Sequence, residues 1–243
     1  MADQPILVLE NVIKHREQGG VAFELQVPKL ELQQGSFVAL VGESGCGKST
    51  LLDMLALVLH PTQCGRFVLY EGGRAIDIKA LWQQDDEAEL ARLRREMLGY
   101  VLQSGGLLPF LDVAGNISLP QRLKSGHVQA ELIQRMAERM GVLGLMKKKP
   151  QFLSGGQRQR VAILRAMAHD PLLILADEPT AAVDRKRAGA IVDDFTTLAR
   201  EHGSTIVMVT HDLKLVDPVA DQVYGYEVNV VTERLTRAVC VAV

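Results

Sequence analysis

Apolar and polar positions alternate in blocks along the chain. Residues 6–13 and 21–32 carry extended, apolar-rich runs on either side of Gly19-Gly20, which predicts a hairpin. Residues 37–41, Phe-Val-Ala-Leu-Val, are continuously apolar, the pattern of a strand buried on both faces. Helically spaced apolar residues from Lys48 to His60 predict a helix stopped before Pro61. Residues 66–70 read as a strand. The segment Asp85 to Arg95 reads as a charged helix whose Glu87, Glu89, Arg92, Arg94 and Arg95 form a solvated face. Residues 98–102 read as a strand leading into Gln103. From Ser104 to Met167 the pattern is helical, with Gly and Pro breaks. Strand, helix and strand then follow over Leu172–Ala176, Asp184–His202 and Thr205–Val209, and residues 222–231 and 235–243 read as terminal strands. Such alternation predicts an α/β fold with a mostly parallel sheet and right-handed crossovers. N-terminal antiparallel strands and an inserted α-helical subdomain complete it. One domain is expected over 1–243, with an α/β core at about 1–103 and 168–243 and the helical subdomain at about 104–167.

Composition narrows the setting. With Lys+Arg 27 and Asp+Glu 29 the net charge is −2, so no global field attracts nucleic acid or an anionic membrane. Cys46, Cys64 and Cys240 are too few and too far apart for a disulfide framework, which favours a reducing compartment. No apolar run approaches the roughly 18 residues of a membrane span. The start Met-Ala-Asp-Gln-Pro has no basic and apolar leader pattern, so a cytosolic chain is expected, with any membrane role exerted through a partner.

Chemistry concentrates in three places. Gly42-Glu43-Ser44-Gly45-Cys46-Gly47-Lys48-Ser49-Thr50 fits G-x-x-x-x-G-K-[ST] between a predicted strand and a predicted helix. Its glycines let backbone amides curl around phosphate oxygens, and the following helix turns its positive end toward them. Lys48 can reach the β- and γ-phosphates, and Ser49 can ligate Mg²⁺. Cys46 is either a thiol activated by the helix terminus or a small filler. Next, Leu172-Leu173-Ile174-Leu175-Ala176-Asp177-Glu178 is a buried strand ending in two carboxylates. Beside a phosphate loop, Asp177 would hold Mg²⁺ and Glu178 would polarise the attacking water. Third, Leu153-Ser154-Gly155-Gly156-Gln157 offers a Ser N-cap and glycine amides at a helix start, a local anion site.

That last pentapeptide resembles the signature motif of ABC-type ATPases, and the rest of the pattern stands in order over residues 6–220. The resemblance implies a phosphate-loop core that binds ATP and Mg²⁺. It makes Gln103 the Q-loop residue on Mg²⁺ and the attacking water, and Ala181-Ala182-Val183-Asp184 the D-loop. His211, within Thr210-His211-Asp212, becomes the switch histidine on the γ-phosphate. It also implies a head-to-tail dimer in which Ser154, Gly155, Gly156 and Gln157 of one copy close the nucleotide site of the other. The adenine-stacking aromatic of the family matches His15 here, after Val12-Ile13-Lys14, a weaker stacking group. Gly225 to Val243 does not follow the family's short hairpin.

Leu107-Leu108-Pro109, Asn116 and Leu119-Pro120 resemble the lipoprotein-release, macrolide-efflux and cell-division branch, whose ATPases drive a separate membrane subunit. The same Leu-Leu-Pro also serves as a plain helix-entry turn. Residues 83–89 look like extra length, and Lys147-Lys148-Lys149 reads as a solvated loop. The expected function is therefore the ATP-hydrolysing subunit of a membrane ABC complex. It would sit at the cytoplasmic face through an integral permease-like subunit and bind no nucleic acid. A soluble ABC ATPase acting on ribosomes or DNA is the alternative. Single-cassette length and the short spacing between phosphate loop and signature disfavour it, and intact Glu178 and His211 disfavour a non-hydrolysing scaffold.

Overall fold

Long alternating runs at the N-terminus make a hairpin because Gly19 and Gly20 both take positive φ, which the tight turn requires. In the computed structural model, which describes residues 5–181 and 185–243, strands β1 (Pro5–Gln18) and β2 (Val21–Gln33) pair antiparallel around that turn. Next come β3 (Phe37–Val41), helix α1 (Lys48–Leu55), β4 (Gln63–Glu71) and β5 (Arg74–Asp77). Helices α2 (Ile78–Gln83) and α3 (Glu87–Met97) lead to β6 (Leu98–Val101). The helical segment follows as α4 (Val113–Ser125), α5 (Ala130–Arg139) and α6 (Gly155–Met167). The chain ends with β7 (Leu173–Asp177), α7 (Arg185–Glu201), β8 (Thr205–Thr210), α8 (Leu213–Val216), β9 (Gln222–Thr232) and β10 (Leu235–Ala242).

The ten strands form one sheet in the order β5-β4-β1-β2-β10-β9-β3-β8-β7-β6. The β9-β3-β8-β7-β6 side is parallel, and β5-β4-β1-β2 is antiparallel. The terminal strands join the halves, with β10 parallel to β2 and antiparallel to β9. Parity along the parallel strands divides the core. Val38, Leu40, Leu173, Leu175, Val207 and Val209 face the layer holding α1, while Ala39, Ile174, Ala176, Ile206 and Met208 face the layer holding α6 and α7. Double burial is why these strands read as continuous apolar runs.

One expectation needs correction. The helix expected to reach His60 ends at Leu55, because Leu57 turns left-handed (φ 58) and drops into the core. The strand and helix at 74–83 were not foreseen. Residues 83–89 are the junction of α2 and α3, where Asp86 caps α3 by accepting from Glu89 N.

Candidate active site

The parallel strands end level, and their register sets the site. Val41 pairs with Thr210, and Val209 pairs with Asp177. The residues that follow, Gly42, His211 and Glu178, therefore emerge in one row at the carboxyl edge, where α/β sheets bind ligands.

From β3 the chain turns through Gly45 (φ 84) and Gly47 (φ 101) into α1. Gly47 caps α1 without a side-chain hydrogen bond, which leaves the first amides to the loop concavity. A β-carbon at Gly47 would stand 3.1 Å from Phe23 Cζ, so β2 packs tightly under the loop. Lys48 is buried, and its ammonium donates to the Gly42 and Glu43 carbonyls at 2.7 and 2.6 Å. Cys46 is buried as well, the filler alternative. The Ser49 hydroxyl donates to Asp177 Oδ2 at 3.1 Å. Burial pushes the Asp177 carboxyl above its usual range. The Ser49 hydrogen bond and the Lys48 charge oppose the rise, and the Glu178 and Asp53 carboxylates add to it.

Glu178 stands in the left-handed region (φ 42), a conformation that costs a glutamate on the order of 1–3 kcal/mol. Its amide donates to Val209 O and its carbonyl accepts from Ala181 N, each at 3.1 Å, and the two bonds hold the turn. One carboxylate oxygen then lies 3.4 Å from His211 Nδ1. These residues line a cleft of about 690 Å³ together with Ser44, Gly45, Gly47, Thr50 and Gln103. At its other end stand Arg16, Gln18, Val21 and Phe23.

The structure does not bring His15 to this cleft. Strand residues alternate faces, and the lining positions on β1 are 16 and 18. His15 lies across from Glu24, and its amide donates to Thr62 Oγ1 at 3.0 Å. Arg16 and Phe23 line that end of the cleft instead, and strand parity counted from the hairpin is the signal that would have found them.

Ser154 to Gln157 also lie outside the cleft lining of their own chain. They form a capping box on α6, with Ser154 Oγ accepting from Gln157 N and Gln157 Oε1 accepting from Ser154 N. From the same helix Arg165 donates to Gly106 O at 2.6 Å and Gly105 O at 3.0 Å. It thus clamps the loop after Gln103, a role with no motif to announce it. Asn116, fully buried, bonds Leu108 N and O, Leu111 O and Asp112 O. Its side chain ties the Leu-Leu-Pro loop to the start of α4. Of the expected D-loop, positions 182–184 lie outside the described residues.

The ABC transporter family matches residues 25–181. An uncharacterized ABC transporter ATP-binding protein of Bacillus subtilis, YknY, is 39% identical over 87% of this chain and 89% of its own. Macrolide export ATP-binding/permease protein MacB of Marinobacter nauticus is 38% identical over 87% of this chain but only 32% of its own. Among solved structures, a chain of the dimeric structure of the ATP-binding cassette MJ0796 of Methanocaldococcus jannaschii is similar with TM-score 0.76 and 32% identity, covering 90% of this chain and 93% of that one. The same cassette bound to ADP and Pi, described as a post-hydrolysis state, gives TM-score 0.73 and 33% identity.

Proposed function

The chain belongs to the ABC transporter family and is one of its ATP-binding, ATP-hydrolysing subunits; we propose that two copies work head to tail and drive a separate membrane subunit. The observation that carries this is the single cleft that gathers the phosphate loop, Ser49, Gln103, Asp177, Glu178 and His211. Gly42 to Thr50 cradle the triphosphate, and Lys48 offsets its charge. Mg²⁺ suits the donor set, because the Ser49 hydroxyl and Asp177 carboxylate are hard oxygens held together, and this ion completes its shell with waters and phosphates. Ser49, Asp177 and Gln103 would hold it, and when bound it neutralises charge on the β- and γ-phosphates. Glu178 accepts the proton of the attacking water, and His211 beside it bonds the γ-phosphate.

The capping box at Ser154 to Gln157 sits at a helix N-terminus outside the lining of its own cleft. It therefore serves the site of a second copy, as the dimeric MJ0796 cassette supports. ATP between the copies is the two-state element, and hydrolysis releases it. No helix among the described residues is long and apolar enough to cross a membrane; the match to transporter ATP-binding proteins supports a place at the cytoplasmic face, held there by the membrane subunit. A groove of about 480 Å³ lined by Leu108, Leu119, Leu123, Arg94, Arg95 and Arg165 supports a docking place for that partner. Arg165 lines this groove and, from α6, bonds the loop after Gln103, so a partner seated there touches the residue that holds that loop. The match to a macrolide export protein and the Asn116-bound Leu-Leu-Pro loop favour the lipoprotein-release and efflux branch.

Glu178→Gln tests the reading. It keeps the shape and loses the basicity, so turnover falls by about 10²–10⁴ while Mg-ATP binding survives. The closed dimer then accumulates and elutes early in size-exclusion chromatography with Mg-ATP. Near-normal turnover, or a monomer at saturating ATP, refutes the assignment.

A further inference from the structure

The cleft has a chemical polarity. Asp177, Glu178 and His211 mark the γ-phosphate end, so the base of a bound nucleotide falls at the hairpin end. There the β1–β2 register sets Arg16 directly opposite Phe23 and Gln18 opposite Val21. Phe23 supplies an aromatic ring next to the loop at Gly47. Arg16 is exposed and lines the cleft, and its guanidinium makes no hydrogen bond or ion pair among the described residues. Its donors are available to a ligand.

A guanidinium has five N–H donors and no acceptor. Guanine presents two adjacent acceptors, N7 and O6, which such a fork meets with two bonds. Adenine presents N7 beside the N6 amino donor, so the same fork makes one bond and faces a second donor. The Gln18 amide, with a donor and an acceptor, suits either base. We propose that this base seat takes guanine nucleotides at least as well as adenine nucleotides, with Arg16 setting the preference, so that the chain is a GTPase as well as an ATPase. The inference rests on the cleft being the nucleotide site.

Titrate the full chain at fixed Mg²⁺ with ATP, GTP and inorganic tripolyphosphate, and measure phosphate release from both nucleotides. The wild type binds and hydrolyses GTP at least as well as ATP. Arg16→Ala weakens GTP about tenfold, the scale of one lost bidentate base contact, and moves ATP by less than about threefold. Tripolyphosphate is unmoved. Arg16→Lys keeps the charge and loses the fork, so it behaves as Arg16→Ala does. The proposal is overturned if the wild type prefers ATP, if the GTP-to-ATP ratio is the same in Arg16→Ala, or if tripolyphosphate weakens in step with GTP, which makes Arg16 a phosphate contact. Failure of the underlying site reading looks different, because Lys48→Ala would then leave tripolyphosphate binding unchanged.

Discussion

Replacing Arg165 by Met should uncouple hydrolysis from binding. The wild-type guanidinium reaches from α6 to the Gly105 and Gly106 carbonyls, and burial lowers its pKa because the charge sits away from water. Methionine keeps the apolar stem and removes both bonds. Hydrogen bonds from a charged donor contribute about 1.5–3 kcal/mol each, but the cost of burying the charge is relieved at the same time. A net loss of about 2–3 kcal/mol follows, which lowers Tm by roughly 5–10 °C in a domain of this size. The loop set free carries Gln103 at the γ-phosphate end, and no bond of Arg165 reaches the phosphate loop. A displacement of about 1 Å in a positioning group costs up to about 10² in rate. The expected result is therefore kcat down about 10- to 100-fold with the ATP Kd within twofold, and partial recovery in Arg165→Lys, whose single ammonium reaches one carbonyl. Scanning calorimetry and steady-state hydrolysis beside equilibrium titration read the three quantities. An unshifted Tm with wild-type kcat refutes the clamp, and a Kd that worsens in step with kcat places the loop in ground-state binding instead.

Lys48→Ala should weaken ATP and tripolyphosphate alike by more than about tenfold in titration, because the removed ammonium is the cation of the cradle. Mixing Lys48→Ala with Ser154→Arg chains should restore some ATPase activity, since only the heterodimer holds one complete composite site; proven heterodimers without activity count against it. Asn116→Ala should destabilise by about 1–3 kcal/mol in denaturant unfolding, as Leu108 N and Leu111 O lose the buried side chain that bonds them while Leu108 O and Asp112 O keep a backbone donor. Burial holds the His169 pKa down to about 4, so the unfolded chain binds more protons between pH 6.5 and 4 and stability falls as pH drops through that window. The wild type should lose about 2–4 kcal/mol there relative to His169→Gln, and parallel pH curves for the two would remove His169 as the cause.

The legible parts of the fold share a physical reason. Strands at 37–41, 173–177 and 205–210 are buried on both faces, so their apolar runs have no competing explanation. The strand Arg74–Asp77 hides because it is a short, mostly exposed edge whose only buried residue is Ile76. The end of α1 hides because Leu57 and its neighbours continue an apolar pattern that the backbone uses for a turn. At the site, the phosphate loop was legible because a cradle of backbone amides calls for glycines, and the paired carboxylates and His211 because metal and proton chemistry calls for those side chains. The Arg16 end of the cleft was not legible, because one residue of strand parity separates His15 from Arg16, and a shift of one exchanges the two faces of a strand. Arg165 gave no signal at all, since an arginine late in a helix reads as an ordinary surface cation.

Register, more than any single contact, assembles the chemistry. Glu178 has no helix or disulfide to fix it, only a left-handed turn whose amide is tied to Val209 O on β8. Strand β8 also delivers His211 through Thr210, which stands level with Val41 at the mouth of the phosphate loop. Asp177, one residue earlier and paired with Val209, meets Ser49 across the same edge. Four groups from positions 49, 177, 178 and 211 thus share one ruler, the β3-β8-β7 ladder. A one-residue slip of β8 would send Val207 and Val209 into the opposite core layer and Ile206 and Met208 into theirs, so the packing that stabilises the sheet is also what forbids the slip. The strain at Glu178 persists because that doubly buried strand leaves its turn no alternative placement.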